Sequence, residues 1–390
     1  MMLSNKTLIF GEKLAALTLG IDHLYRREAG IDGDLDGLVV INMGQKEVRE
    51  VEDYREARAL LAELAGEAFA LPEEDRRLYY TQACVSLDSF CAFREGMLPA
   101  LGSQIGMFLH VDPAPMTDKQ LEGYFGQLRT LLTQMGYTGD LKEQCAKWEE
   151  KNKVPADEVQ GTMDELMAVA RERTGEILEL PENDFYHCVT ERGSAFNARS
   201  DYDHRQVVIN IDPVLTLPSL KHLVCHECYP GHFMQFTHRR VRYERGEAAA
   251  DGLLSVVNHS SSSTFEGIAD AGLEFIRWME NDDDRVNGVI GQLRSALGTA
   301  ASYQMHTLKR PDSEVEAWLR ERTLVGGEGW VQGRMRFIRD PARAALIWSY
   351  WRGDQGVFDV WHRVAPEDRP RFFDYIYGRL HTVQSMQLFR

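Results

Sequence analysis

The sequence has no run of about 18 apolar residues, so we expect no membrane-spanning helix. The sequence also has fewer basic than acidic residues, with 44 lysines and arginines against 60 aspartates and glutamates. The formal net charge of -16 argues against nucleic acid and anionic membranes as the main partners. The first residues lead directly into a periodic segment that contains Glu12 and Lys13, a pattern unlike a secretory signal peptide. We therefore expect a cytoplasmic protein that binds neither nucleic acid nor membrane.

Cysteine is sparse, with six residues in a chain of 390 and a single C-x-x-C, Cys225-x-x-Cys228. In a long chain without a signal peptide, six cysteines favour reduced thiols over a disulfide framework. A C-x-x-C can be half of a zinc ribbon or a redox pair, but the sequence holds no second copy of it. We expect Cys225 and Cys228 to pack in the interior, with a redox or metal role as the alternative.

Strand patterns are rare as well. Good strand signals, with β-branched and aromatic enrichment, occur only at Phe185–Val189 and Gln206–Ile211. Most of the remaining chain shows apolar residues at helical spacing, with helix-start signals such as Thr117-x-x-Gln120 and Pro218. The sequence therefore predicts a mainly α fold with a small β-hairpin or sheet.

One segment has the pattern of a zinc hydrolase: Cys225-His226-Glu227-Cys228-Tyr229-Pro230-Gly231-His232. A catalytic zinc site uses three imidazole or carboxylate ligands and leaves one position for water. His226 and His232 can supply two ligands, and Glu266 downstream can supply the third. Glu227, beside the first ligand, is then the general base that takes the proton of the water. This pattern predicts one Zn²⁺ per chain, with satisfied core histidines as the alternative.

The six-residue interval between His226 and His232 differs from the four of H-E-x-x-H. On a regular helix these two side chains would point roughly 120° apart. A break is therefore required, and Pro230 with Gly231 can provide it, because proline ends helical bonding and glycine permits unusual dihedral angles. We expect the helix to end or bulge there, so that His232 turns back toward the metal.

The segment His226-Glu227-x-x-Pro230-Gly231-His232-x-x-Gln235 resembles the H-E-x-x-P-G-H-H-x-Q motif of a large bacterial family of mostly unassigned function. That family is thought to be distantly related to helical, gluzincin-like zinc metallopeptidases of the H-E-x-x-H…E type. Its second block, E-G-W-A-x-Y-x-E, is matched by Glu266-Gly267-Ile268-Ala269, and its third, S-Y-x-x-G, by Ser349-Tyr350-Trp351-Arg352-Gly353. The resemblance covers about the C-terminal half of the chain.

Four positions depart from the family pattern: Phe233, Ile268, Ala271 and Leu273 stand where the family has His, Trp, Tyr and Glu. The inferred metal ligands are retained. The departures leave substrate specificity and the retention of activity open.

The two later blocks suggest further roles. Asp270 stands one helical turn after Glu266 and could accept the outer N–H of His226 or His232, with an exposed helix acid as the alternative. From the third block, Tyr350 is the first candidate to donate a hydrogen bond to the oxyanion of the reaction.

Candidates for contact with substrate are weaker. In peptidases with related motifs, an edge strand holds an extended substrate by main-chain hydrogen bonds, and Asn210 with its neighbours is the candidate for that role. A purely structural hairpin is the alternative. Further candidates, each with a structural alternative, are His306, Arg352 and His362.

The resemblance implies a large helical peptidase-like fold with a cleft and a small sheet next to the metal-binding helix. Residues 1–180 are interpreted as a helical scaffold or lid region, and residues 181–390 as the metal-binding catalytic region of one continuous fold. The leading prediction is a zinc-dependent peptidase acting on short peptides. The alternatives are a metal-dependent amidase on a small non-peptide substrate and a non-catalytic, metal-stabilised helical binding protein. The sequence indicates no oligomeric state.

Overall fold

The computed structural model describes residues 3–33, 37–181, 185–193, 198–202 and 204–390. The fold is mainly helical with small sheets, so the predicted fold class is confirmed. Among the described residues, each helix is too short or too polar to cross a bilayer. The predicted cleft stays a prediction.

The first part of the chain is helical apart from one short strand. Its elements are α1 (Asn5–Ala29), β1 (Val39–Asn42), α2 (Tyr54–Ala68), α3 (Glu74–Arg94), α4 (Leu101–Phe108), α5 (Asp118–Gln134), α6 (Leu141–Asn152) and α7 (Val159–Gly175). The capping box predicted at Thr117 and Gln120 is present at the start of α5.

The second part begins with three strands and returns to helices. Its elements are β2 (His187–Glu191), β3 (Ala198–Asp201), β4 (Gln206–Asn210), α8 (Leu217–Leu223), a π-helical turn (Val224–Cys228), α9 (His232–Glu244), β5 (Leu254–Val256), α10 (Ser262–Asp270), α11 (Gly272–Phe275), α12 (Asp282–His306), α13 (Asp312–Arg322), α14 (Gly327–Arg339), α15 (Pro341–Ala344), α16 (Ile347–Trp361), α17 (Arg369–Gly378) and α18 (Val383–Met386).

The chain forms two compact units. The first comprises Met1–Pro113, Met234–Ile268 and Trp348–Arg390, and the second comprises Ala114–Phe233 and Ala269–Ile347. The boundaries after 233, 268 and 347 fall inside α9, α10 and α16, so these helices are continuous across them. The division predicted at residue 180 is not among these boundaries.

The first unit has its core between α1, α2 and α3. Apolar side chains at helical spacing, such as Leu14, Leu17 and Ile21 on α1, pack against Leu61 on α2 and Leu87 on α3. Strands β1 and β5 pair antiparallel in this unit. The region before residue 180 is helical as expected except at β1, which includes Val39-Val40-Ile41, a short apolar run whose type the sequence leaves ambiguous.

The second unit holds a three-stranded sheet in the order β2-β4-β3. β2 runs parallel to β4, and β3 runs antiparallel to it. The segment 193–203, between the two predicted strands, contains β3. Residues 194–197 and 203 of that segment lie outside the described residues. The two predicted strands, β2 and β4, pair in parallel and so do not form a hairpin; the antiparallel partner of β4 is β3, on its other side.

Candidate metal centre

Helix α8 carries the motif segment into place. It begins as predicted around Pro218, and Thr216 caps it by accepting a hydrogen bond from Ser219 N. Its Lys221 forms a buried ion pair with Asp284 at the start of α12, with 2.7 Å between Nζ and Oδ2. This pair fixes α8 to the longest helix of its unit.

The chain changes its hydrogen bonding where the motif begins. Val224–Cys228 form a π-helical turn, and Tyr229 N donates to Val224 O at 3.0 Å, five residues back. Such turns inside α-helices occur often at functional sites. His226 and Glu227 therefore lie on a widened last turn, immediately before the chain leaves the helix.

The predicted break is confirmed at Tyr229–Gly231. Tyr229 is extended, the Tyr229–Pro230 peptide bond is cis, and α9 starts at His232. The reason expected for Gly231 was wrong, because its φ is not positive. A Cβ at Gly231 would lie 1.8 Å from His226 O and 2.4 Å from Cys225 O, so glycine is required there for close backbone approach.

The break brings together the side chains that the sequence singled out. His226, His232 and Glu266 each offer a ligand atom, and these atoms lie within 4.8 Å of one another. The two imidazole rings are 4.6 Å apart between centroids and nearly perpendicular, at 78°. Two atoms that bind one zinc ion are at most about 4.4 Å apart, so this spacing is close to that of a shared ion. Their role as ligands stays a prediction.

Asp270 lies behind His226. Its Oδ1 is 2.7 Å from His226 Nδ1, so Nδ1–H can donate to the carboxylate and leave Nε2 as the ring atom that binds a metal. Burial alone would raise the pKa of Asp270, but His226 and His222 hold it well below its ordinary value. Of the two histidines that the sequence offered as its partner, the structure pairs Asp270 with His226.

His222 was missed by the sequence interpretation. Its Nε2 is 3.3 Å from the same Asp270 oxygen, and His222, His226 and Asp270 form a second group that could hold an ion. Since Asp270 and His226 stand at hydrogen-bonding distance, we interpret this group as the support of His226. Its position four residues before His226, one helical turn away, was the available signal.

Glu227 also has a partner that sequence reasoning did not find. Ser200, on β3, donates a hydrogen bond from Oγ to Glu227 Oε2 at 2.8 Å. The predicted small sheet is therefore adjacent to the motif segment. This pairing depends on how the strands order themselves, which no local pattern around Ser200 indicates.

Phe233, at the position where the motif that this chain resembles has histidine, belongs to an aromatic cluster. Its ring stacks on Tyr186 at 4.4 Å and 25°, and meets Tyr229 edge-on at 5.5 Å. Tyr229 also binds the backbone of Tyr186, whose N–H donates to its hydroxyl at 3.1 Å. The substitution thus places an apolar, buried side chain in packing that supports the turn.

Helices α10 and α16 cross with their backbones in near contact. A Cβ at Gly267 would lie 2.4 Å from Gly353 O, and one at Gly353 would lie 2.0 Å from Ser263 O. The glycines of the second and third sequence blocks are therefore explained by helix packing beside Glu266. Tyr350 lies on α16 one turn before this crossing and is half-buried; its role stays a prediction.

The premise for Asn210 as a substrate-binding residue is wrong. Its strand, β4, is the central one, because β2 pairs with one edge and β3 with the other. Asn210 is buried, and its Oδ1 accepts a hydrogen bond from Asp212 N. A run of β-branched residues predicts a strand but not its place in the sheet.

The remaining substrate candidates contact protein groups. His306 Nε2 is 2.7 Å from Ile338 O, and His362 is exposed and stacks on Phe358. Arg352 binds Asp112, with 2.9 Å between Nη2 and Oδ2, and lies over the Trp351 ring. Neither histidine belongs to a converging metal-capable group among the described residues. These contacts favour the structural alternative for all three.

Cys225 and Cys228 are fully buried free thiols. Burial raises the pKa of both, which makes the reactive thiolate scarce. The expectation that they pack in the interior is confirmed.

Comparison with known proteins identifies a related fold only. Neither a scan against known protein families nor a search of curated proteins finds a match. Similar solved structures include a putative lipoprotein from Colwellia psychrerythraea, with a TM-score of 0.58 and 12% identity, covering 85% of this chain and 68% of that one. Another is a putative lipoprotein of unknown function from Shewanella oneidensis, with a TM-score of 0.52 and 12% identity, covering 86% of this chain and 70% of that one. At this identity the likeness shows that the chain shares their fold.

Proposed function

We propose that this chain is a zinc-dependent hydrolase that acts on short peptides. The observation that carries the proposal is the convergence of His226, His232 and Glu266, with Glu227 directly beside the first of them. A group of two imidazoles and a carboxylate, of which His232 is buried and the other two are half-buried, matches the ligand set of catalytic zinc sites, which bind one ion and keep a position open for water.

When bound there, a zinc ion would lower the pKa of a water ligand to about 7. Glu227 would act as the general base that takes the proton from this water and passes it to the departing amine. Asp270 would hold His226 in the required tautomer. Tyr350 is proposed to donate a hydrogen bond to the oxyanion.

The sheet beside Glu227 supports a peptide as substrate. β3 lies at the edge of the order β2-β4-β3 and carries Ser200, the partner of Glu227. An extended peptide could pair with this edge by main-chain hydrogen bonds, which is a common way of binding peptides. The substrate-binding role first assigned to β4 is therefore moved to β3.

We propose a cytoplasmic location with neither nucleic acid nor membrane as a partner. The six buried free thiols and the net charge of -16 support this assignment.

The test is a peptide-library digest read by mass spectrometry, with and without a chelator. Wild-type protein loaded with one zinc should cleave peptides, and the chelator should abolish cleavage. Glu227→Gln should retain zinc and lose turnover by about 10²–10⁴-fold, because the amide cannot accept the proton. Glu122→Gln, at an exposed position on α5, is the matched control and should cleave like wild type.

Two results would contradict the proposal. Wild-type turnover by Glu227→Gln would remove Glu227 as the base. A zinc-loaded wild-type protein that cleaves no peptide would favour a narrow amidase or a metal-stabilised binding protein.

A further inference from the structure

Ser200 is held in place by the backbone of the sheet. It lies on β3 opposite Val207 of β4, within four consecutive antiparallel pairs, Ala198–Ile209 to Asp201–Gln206. The side chain of a residue in a paired strand points to a fixed face of the sheet. The position of the Ser200 hydroxyl is therefore set by strand pairing across the chain, independently of the helix that carries Glu227.

The hydroxyl contacts one oxygen of the carboxylate. Ser200 Oγ is 2.8 Å from Glu227 Oε2. A glutamate side chain rotates about its last bond with little preference, so a single fixed donor determines which oxygen faces which way. With one lone pair of Oε2 engaged by Ser200, Oε1 is the better acceptor for a further proton.

The surroundings of Ser200 determine the direction of this hydrogen bond. Burial raises the pKa of Tyr202 and of Tyr186 well above the ordinary value, and a hydrogen bond with the Ser200 hydroxyl acts against this rise in both. Both phenols therefore keep their protons. A protonated phenol can donate a hydrogen bond to the Ser200 oxygen, whereas the Glu227 carboxylate can only accept one. Ser200 therefore donates its proton to Glu227.

We propose that Ser200 is a positioning residue that orients Glu227 for proton transfer, with Oε2 held by the serine and Oε1 facing the water. This inference rests on the proposed function, in which Glu227 is the base. It assigns to β3 a second role besides the peptide-binding edge.

The experiment compares wild type, Ser200→Ala and Ser200→Thr, all loaded with zinc. Ser200→Ala should lower kcat about 10-fold with KM unchanged, because the base loses its orientation while the substrate contacts remain. Ser200→Thr keeps a hydroxyl at the same position and should restore kcat. Zinc affinity and melting temperature should match wild type in both variants. Ser313→Ala, at an exposed serine on α13, is the control and should change none of these quantities.

A second readout does not need turnover. Acetohydroxamic acid chelates zinc and presents an N–H and an O–H that a correctly oriented carboxylate can accept. Its affinity for the zinc-loaded protein, measured by calorimetry, should fall several-fold in Ser200→Ala and recover in Ser200→Thr.

The outcomes separate this inference from the proposed function. Wild-type kcat in Ser200→Ala, or a change in KM alone, would overturn the positioning role and leave the hydrolase proposal standing. If the wild type binds zinc but cleaves no peptide, the hydrolase proposal fails, and the acetohydroxamate titration decides about Ser200. Equal affinity in wild type and Ser200→Ala would then overturn the inference.

Discussion

The motif segment and the region around Arg76 both place a histidine close to a carboxylate, but the surroundings of the histidine and the carboxylate differ between the two regions. Around Arg76, the guanidinium contacts Asp75, with 3.0 Å between Nε and Oδ2, and Arg379 contacts the same oxygen at 3.4 Å. His381 accepts from Arg76 through Nδ1 at 3.2 Å and donates to Tyr375 O through Nε2 at 3.0 Å. Burial, and then Arg76, hold the pKa of His381 well below its ordinary value, so the ring stays neutral.

We call Asp75, Arg76, Arg379 and His381 the Arg76 cluster. The cations that balance the Asp75 carboxylate are the side chains of Arg76 and Arg379. The His381 imidazole accepts a further hydrogen bond from Arg76. In the motif region, two imidazoles instead converge with the carboxylate of Glu266, and only this kind of convergence offers ligands to an ion. A histidine beside an acid therefore indicates a metal site only when further ligand atoms converge with it.

The prediction with the largest effect tests this contrast directly. His226→Ala should weaken zinc binding by roughly 1,000-fold or more, because it removes one of three ligands. His381→Gln should lower the melting temperature and still bind one zinc per chain. Elemental analysis measures the zinc content of the two variants, and competition with a chromophoric chelator measures their zinc affinity.

Retention of one tightly bound zinc by His226→Ala would contradict the comparison, because His226 would then not be a zinc ligand. Loss of zinc from folded His381→Gln would also contradict the comparison, because a residue of the Arg76 cluster would then be needed for zinc binding.

A smaller effect is expected at the turn between the two histidines. Unlike the Arg76 cluster, which is built from side chains, this turn depends on backbone contact at Gly231. Gly231→Ala would put a methyl group against His226 O, and we expect a loss of unfolding free energy of about 3 kcal/mol or more. The measurement is denaturant unfolding followed by circular dichroism.

Gly66→Ala is the matched control, since a Cβ there meets no described atom within 4 Å and the position is an exposed helix interior. This variant should be unchanged or more stable by up to about 1 kcal/mol. Equal stability of the Gly231 and Gly66 variants would contradict the close-approach argument.

The smallest effect concerns pH and sharpens the account of the Arg76 cluster. Burial alone would raise the pKa of Asp75, but Arg76 lowers it from 3.8 to about 2. A carboxyl group with a depressed pKa in the folded state stabilises the protein above its unfolded pKa, and this stabilisation is lost as the pH falls from 3.8 toward 2. Between pH 6 and pH 3 the loss is about 1 kcal/mol.

Asp75→Asn removes this titration. The decrease in unfolding free energy between pH 6 and pH 3 should therefore be about 1 kcal/mol smaller in the variant than in wild type, as measured by urea unfolding at both pH values. Identical pH dependence would show that the Asp75–Arg76 pair contributes nothing on the acid side.

The sequence predicted those features that depend on local chemistry. Proline and glycine between His226 and His232 required a break, because a regular helix would point the two rings apart, and the break is present. The pairing of Asp270 with one of these histidines followed from its position one turn after Glu266.

Features set by long-range packing could not be predicted in this way. The partner of Glu227 is Ser200 because β3 pairs with the outer edge of β4, and nothing near Ser200 encodes that order. The same strand order removes the premise for Asn210, whose strand was expected to lie at an edge of the sheet. Gly267 and Gly353 were recognised as motif positions, but their function in helix crossing becomes visible only in three dimensions.

The π-helical turn at Val224–Cys228 has a consequence for insertions and deletions. Its bond from Tyr229 to Val224 encloses one residue more than an α-helical bond would. Deleting one residue would let α-helical bonding continue, so the backbone could absorb the change. Deletion of a residue before His226 would nevertheless shift His226 by one position, about 100° around the helix axis, and turn it away from Asp270. Related sequences that keep this chemistry should therefore align from α8 to His232 without gaps.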